Sequence, residues 1–169
     1  MAAYHIVGLG NPGQEYDGSP HNAGKFIAEL FAKKYDGKRA KVILPDVFMN
    51  QSGKIIKAHG IRAKGLMLLH DDIDLPLGRF KIVFNRGSGG HKGVESVIRA
   101  LGTEKFVRIR IGISPKKKPN HRDLMKFLTH KFTPAQTALV KKISKKIVEA
   151  IEVAVEESPE KAMTLYNSN

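Results

Sequence analysis

Four clusters of polar residues carry the groups that acid–base chemistry and anion binding require. The first is Gly8-Leu9-Gly10-Asn11-Pro12-Gly13, followed by Tyr16 and then His21-Asn22-Ala23-Gly24. A histidine takes a proton near neutral pH, so His21 is a candidate general base. For one histidine taken alone, a surface or helix-capping role is the alternative. The second cluster is Phe48-Met49-Asn50-Gln51-Ser52-Gly53. Asn50 can cap a short helix there, or present an amide to a substrate carbonyl. The third, His70-Asp71-Asp72-Ile73-Asp74-Leu75-Pro76, crowds three carboxylates after an apolar run. Such crowding is costly unless the acids have partners. Mg²⁺ is one partner that suits carboxylates, a histidine in need of orientation is another, and a solvated turn is the third reading. The fourth, Gly87-Ser88-Gly89-Gly90-His91-Lys92-Gly93, sits at a helix start, where backbone amides hold anions.

Gly8, Gly10 and Gly13 match the spacing of a dinucleotide-binding loop. Pro12 and the stretch from Gln14 to Pro20 push the next helix well past the third glycine, so no helix N-terminus meets a pyrophosphate there. The glycines instead let the loop turn sharply and bring Asn11 to the surface. Ser52 and Ser88 are the hydroxyls near these clusters, and neither sits in a nucleophile elbow.

These clusters must be held by the elements between them. Tyr4 to Gly10 reads as a buried strand, and His21 to about Tyr35 as a helix with Phe26, Ile27, Leu30 and Phe31 at helical spacing. Val42 to Leu44 is a short strand, Ser52 to His59 a short helix, and Leu66 to His70 an apolar strand that runs into the acidic cluster. From Arg79 to Phe84 the chain alternates, with Phe80, Ile82 and Phe84 on one face and Lys81 on the other. Val94, Val97, Ile98 and Leu101 make a helix that Gly102 ends. Val107 to Ile113 alternates as well, which puts Arg108 and Arg110 on one face. Thr133, Pro134 and Gln136 form a capping-box start for a helix that turns Leu139, Ile143, Ile147, Ile151 and Ala154 inward. Strands alternating with helices predict an α/β fold in a single domain over residues 1–169, with a mixed, mostly parallel twisted sheet flanked by helices. In such sheets ligands bind at the carboxyl ends of the strands.

Composition narrows the partners. The chain has 169 residues, 41% hydrophobic and 27% charged, which excludes disorder and is enough for one core. It has no cysteine, so disulfides, thiolate metal sites and a cysteine nucleophile are excluded. No apolar run reaches the length of a membrane span and the start lacks a secretory signal, so a cytoplasmic protein is expected. Twenty-nine Lys and Arg against 16 Asp and Glu leave a charge of +13. That surplus favours a polyanionic partner, with nucleic acid first. With four Tyr and no Trp, phosphate contacts are favoured over extended base stacking.

Taken together and in order, GLGNPGxxY with HNAG, FMNxSG, HDDxDLPxG, GSGGHKG and RIRIGI resemble the bacterial-type peptidyl-tRNA hydrolases. The resemblance runs from Tyr4 to about Phe132 and includes KFLTHKF. It implies an esterase that cleaves peptide from the 3′ ribose of tRNA, monomeric, with no metal or other cofactor. His21 matches the family's catalytic histidine and Asp71 its orienting aspartate. Asn11 and Asn50 match the asparagines that position the substrate, and Tyr16 a tyrosine near the tRNA 3′ end. Lys81 and Arg110 match positions that contact tRNA phosphates, and His91 the histidine of the GGH turn. Met49 and Lys92, in the same motifs, join the substrate-binding set.

The chain departs from the pattern twice. Lys92 stands where the family has Asn, so an amide becomes a cation on a flexible stem. Only Asp36 to Lys41 lie between the first helix and Val42, where the family has a further strand or hairpin; a shortened sheet edge is expected, with Lys38, Arg39 and Lys41 protecting it. Two other functions remain open on sequence: a catalytically weak RNA-binding relative, such as an intron-splicing factor, and a nucleotide-dependent enzyme built on the glycines and the acidic cluster.

Overall fold

In the computed structural model, which describes residues 3–167, five strands form one sheet in the order β2-β1-β3-β5-β4. These are β1 (Tyr4–Gly8), β2 (Ala40–Ile43), β3 (Leu66–Pro76), β4 (Phe80–Phe84) and β5 (Val107–Ser114). β1 pairs in parallel with β2 and β3, β3 in parallel with β5, and only β4 runs antiparallel. The helices are α1 (Ala23–Lys34), α2 (Ser52–Ala58), α3 (Lys92–Leu101), α4 (Leu124–Thr129), α5 (Pro134–Glu156) and α6 (Pro159–Tyr166). Among the described residues no helix is long and apolar enough to cross a membrane.

Each face of the sheet has its own core. Ile6, Met67, Leu69, Ile109 and Ile111 pack with Ile27 and Phe31 of α1 and Ile147 and Ile151 of α5. On the other face Val7, Leu9, Leu68 and Phe106 pack with Ile56 of α2 and Val94 and Val97 of α3. A central parallel strand covered on both faces needs an unbroken apolar run, and Leu66 to Leu69 supply one.

Several elements depart from expectation. The histidine cluster is not in the first helix: Pro20–Asn22 form a single 3₁₀ turn, and α1 starts at Ala23. β3 does not stop at His70. It carries the acidic cluster to Pro76, because β5 pairs with it through Asp72 and, after a register shift, again at Pro76. Phe84 ends the outer strand and is 52% exposed rather than facing the core. Leu139 is exposed and Val140 faces inward in its place. A stripe of pure i+4 steps rotates by about 40° each time, so from residue 151 back to 139 it drifts about 120° off the buried side. The capping box at Thr133 and Gln136 is present, as is the left-handed Gly102 that ends α3.

The close approach of α1 to β3 positions the site. A Cβ on Gly24 would lie 2.2 Å from the Leu69 carbonyl oxygen, so only glycine lets the helix start touch the strand there. The turn that precedes α1 is thereby brought against the middle of β3, where Leu69 leads into His70 and Asp71.

Candidate active site

His21 sits in the turn before α1, and a reciprocal pair of asparagines ties that turn to the β1 loop. Asn22 Oδ1 accepts from the Asn11 backbone N–H at 2.8 Å, and Asn22 Nδ2 donates to the Asn11 carbonyl at 3.0 Å. The Asn11 side chain reaches further, with Oδ1 accepting from the Met49 N–H at 2.8 Å. Asn11 is therefore buried, not carried to the surface, because its carboxamide joins two loops. The pairing leaves its Nδ2 group as the free end.

His21 is itself buried, and its Nδ1 lies 2.9 Å from Asp71 Oδ2. A carboxylate can only accept, so Nδ1 carries the proton and Nε2 holds a lone pair. Nε2 makes no hydrogen bond among the described residues, and His21 lines the neighbouring cavity. Burial pulls the proton affinity of His21 down, but the charge of Asp71 and the hydrogen bond to it pull harder, and the net shift is upward. Burial raises Asp71, yet the two imidazoles around it hold it well below the usual carboxylate range.

The second imidazole is His91, whose Nε2 lies 2.8 Å from Asp71 Oδ1. His91 is also the N-cap of α3, and its Nδ1 accepts from the backbone N–H groups of Gly93 and Val94 at 3.1 and 3.2 Å. A third ring, His70, stands 5.0 Å from His91 and directs Nδ1 to the Asp71 carbonyl at 2.8 Å. Its Nε2 is buried without a partner. Burial, with the nearby His91 and Arg108, keeps His70 well below its ordinary value, hence neutral.

His21, His91 and Asp71 place one ligand atom each within 4.8 Å of one another, a grouping that suits a divalent ion. The hydrogen bonds argue against that use. His91 Nδ1 accepts two N–H groups, so its proton is on Nε2, the atom that would have to bind the metal. The three carboxylates are separated too: Asp71 serves the histidines, Asp72 Oδ2 accepts from Arg110 Nε at 2.6 Å, and Asp74 pairs with Lys118.

The rings open onto a cavity of about 580 Å³ lined by residues 70–74 of β3 and by Arg108 and Arg110 of β5. Its lining includes the cations Arg86, Lys92, Arg108 and Arg110 and the apolar Ile73, Leu124, Met125 and Leu128. Arg108 is buried and binds the Gly87 carbonyl through Nη2 at 2.8 Å, which holds the glycine loop. Burial and the neighbouring Arg110 charge lower it to about 10, so it stays a cation. Lys92 is exposed at the first turn of α3, 3.8 Å from Glu95.

Of the residues expected from sequence, His21, Asp71, His91, Lys92 and Arg110 meet around this cavity. Asn11 and buried Met49 are not among its lining residues; Met49 contacts the α3 start, where a Gly93 Cβ would lie 2.6 Å from its Sδ. Asn50 is exposed on the 3₁₀ turn Met49–Gln51 and does not cap α2, whose capping position is Gln51. Tyr16 lies outside the cavity, edge-on to exposed Phe48 at 6.3 Å. Lys81 is also outside it, with Nζ bonded to the Asn167 carbonyl at 2.6 Å. Asn22, His70, Arg108 and the α4 side chains were not singled out as site residues. Asn22 and His70 stand inside the quoted motifs, KFLTHKF overlaps α4, and the alternation put Arg108 beside Arg110, but none of these signals said what the side chains do.

Fold and site place the chain among single-domain α/β proteins that carry an imidazole–carboxylate pair at the carboxyl edge of a mostly parallel sheet. The family model described as peptidyl-tRNA hydrolase matches residues 5–169. A peptidyl-tRNA hydrolase of Thermodesulfovibrio yellowstonii is 37% identical over 185 residues, covering 96% of this chain and 97% of that one. One from Pseudothermotoga lettingae is 38% identical over 181 residues, covering 96% of each. Both aligned spans exceed the 169 residues of this chain, so each relative carries residues without a counterpart here. The crystal structure of a peptidyl-tRNA hydrolase from Acinetobacter baumannii superposes with a TM-score of 0.88 at 26% identity, covering 99% of this chain and 96% of that one. The chain belongs to the peptidyl-tRNA hydrolase family.

Proposed function

We propose that the protein hydrolyses the ester between a peptide, or an N-blocked amino acid, and the 3′ ribose of tRNA. The observation that carries the reading is the His21–Asp71 pair, with Nδ1 bound at 2.9 Å, Nε2 free of hydrogen bonds among the described residues and the ring lining the cavity. Nε2 takes a proton from water, and the oxygen of that water attacks the ester carbonyl carbon. The tetrahedral intermediate then expels the ribose oxygen, which takes from Nε2 the proton that came from water. The products are a peptide carboxylic acid and a tRNA with a free 3′ hydroxyl. Asp71 fixes the tautomer and stabilises the imidazolium formed midway. Proton transfer of this kind contributes about 10²–10⁴-fold.

The Asn11 Nδ2 group and the Asn50 amide position the substrate carbonyl, where loss of one oxyanion donor costs about 3–4 kcal/mol in other hydrolases. Arg110, Lys92 and the charge surplus bind phosphates, which gives affinity without sequence reading and suits an enzyme that accepts many tRNAs. Tyr16 and Met49 complete the substrate-binding set from outside the cavity, and Lys81 contributes once it leaves Asn167. The protein acts as a monomer in the cytoplasm.

The test is release of free tRNA from an N-acetyl-aminoacyl-tRNA. His21→Ala abolishes release while tRNA binding stays within about twofold. Wild-type turnover in that variant rules His21 out as the base, and no release by the wild-type protein leaves an RNA-binding relative.

A further inference from the structure

His91 touches both the candidate base's partner and the end of a helix, and those two contacts constrain each other. Its Nδ1 accepts from two backbone N–H groups of α3, so the ring proton is on Nε2. That proton points at Asp71 Oδ1, 2.8 Å away. Asp71 is thus gripped at both oxygens, by His91 on one and by His21 on the other. An imidazole flipped to the Nδ1–H tautomer would face two N–H donors with a third and would aim a lone pair at a carboxylate. The α3 N-terminus therefore selects the tautomer. The ring is largely buried, and its neighbours are the His21 and His70 rings, at 5.2 and 5.0 Å, and Asp71.

We propose that His91 is a positioning residue for the hydrolysis, holding the Asp71 carboxylate in register with His21 Nδ1 rather than binding substrate. The inference rests on the His21–Asp71 reading for its kinetic part. The helix end acts through the ring: α3 fixes His91, His91 fixes one oxygen of Asp71, and the other oxygen stays on His21.

His91→Asn separates the two contacts. Asparagine caps a helix as well as any residue, but its side chain is too short to reach Asp71. The expected result is a kcat lower by about ten- to a hundred-fold, the range seen when an outer hydrogen-bond partner of a working group is removed. KM stays within about twofold, and the acid limb of the kcat profile moves to lower pH as the His21–Asp71 contact loosens. In an Asp71→Asn background the same change costs almost nothing more, because its route is already cut. A rise in KM with kcat and the acid limb unchanged overturns the proposal, as does an equal loss in both backgrounds. The wild-type protein gives a test that needs no activity. At pH 8 a long-range ¹H–¹⁵N spectrum places the His91 proton on Nε2, and an Nδ1–H signal overturns the assignment even if His21 proves to be the base.

Discussion

Asp71 makes His21 hold its proton more tightly, and this gives a signed expectation for the pH profile. The base works only when neutral, so kcat rises through the His21 pKa, which lies above the ordinary 6.5. Asp71→Asn removes the charge that raised it. The acid limb then moves to lower pH while the maximal rate drops by about 10²–10⁴-fold, since the imidazolium loses its stabiliser. An unmoved limb in a rate-against-pH series removes Asp71 from the mechanism. His70 has the opposite sign from His21 in stability. Its folded value is below 6.5, so its contribution is complete above that pH and is lost on acidification; the raised His21 gains stability over the same descent. His70→Asn therefore melts with a smaller fall in Tm from pH 7 to pH 5 than the wild-type chain. At this scale the sequence showed which residue types were chemical, and family motifs paired His21 with Asp71. It did not show the grip of His91, since a hydrogen bond between residues 20 positions apart has no local spacing to betray it.

Elements were legible where one local rule acts alone. The Thr133 capping box, the Gly102 stop and the apolar run of β3 are such cases, each a few residues long and read from side-chain type. They were illegible where a partner decides. The acidic stretch after His70 is strand only because β5 lies beside it, and the short helices α4 and α6 were not read from the sequence. Gly24 shows how much of the site depends on such packing. Gly24→Ala forces a Cβ against the Leu69 carbonyl, and backbone cannot swing away as a side chain would. Destabilisation of about 2–3 kcal/mol is expected, read as a lower urea midpoint at unchanged slope, together with a loss of turnover greater than the unfolded fraction explains. A midpoint within error of wild type refutes the close-contact account.

The molecule as a whole carries +13, and polyanion binding should weaken steeply with salt. Arg110→Ala should reduce the slope of log K against log salt by about one, because Asp72 holds only its Nε and leaves the rest of the guanidinium for phosphate. Lys81→Ala should reduce it less, since its ammonium is already occupied by a carbonyl. Equal slopes for both variants would contradict that ranking. Overall charge was plain from composition, but which cations are free was not, because that depends on distant contacts such as that of Lys81 with Asn167, 86 positions away in the chain.

The same distant residue has a second effect. Asn167 returns both ends of its carboxamide to Ile82, accepting its N–H at 2.9 Å and donating to its carbonyl at 2.7 Å, on the side of β4 that faces no strand. One amide thus imitates the neighbour that the sheet lacks. Stripping it away would expose hydrogen-bonding groups suited to docking against another copy, so the last turn of the chain also helps keep concentrated protein from clumping through strand pairing.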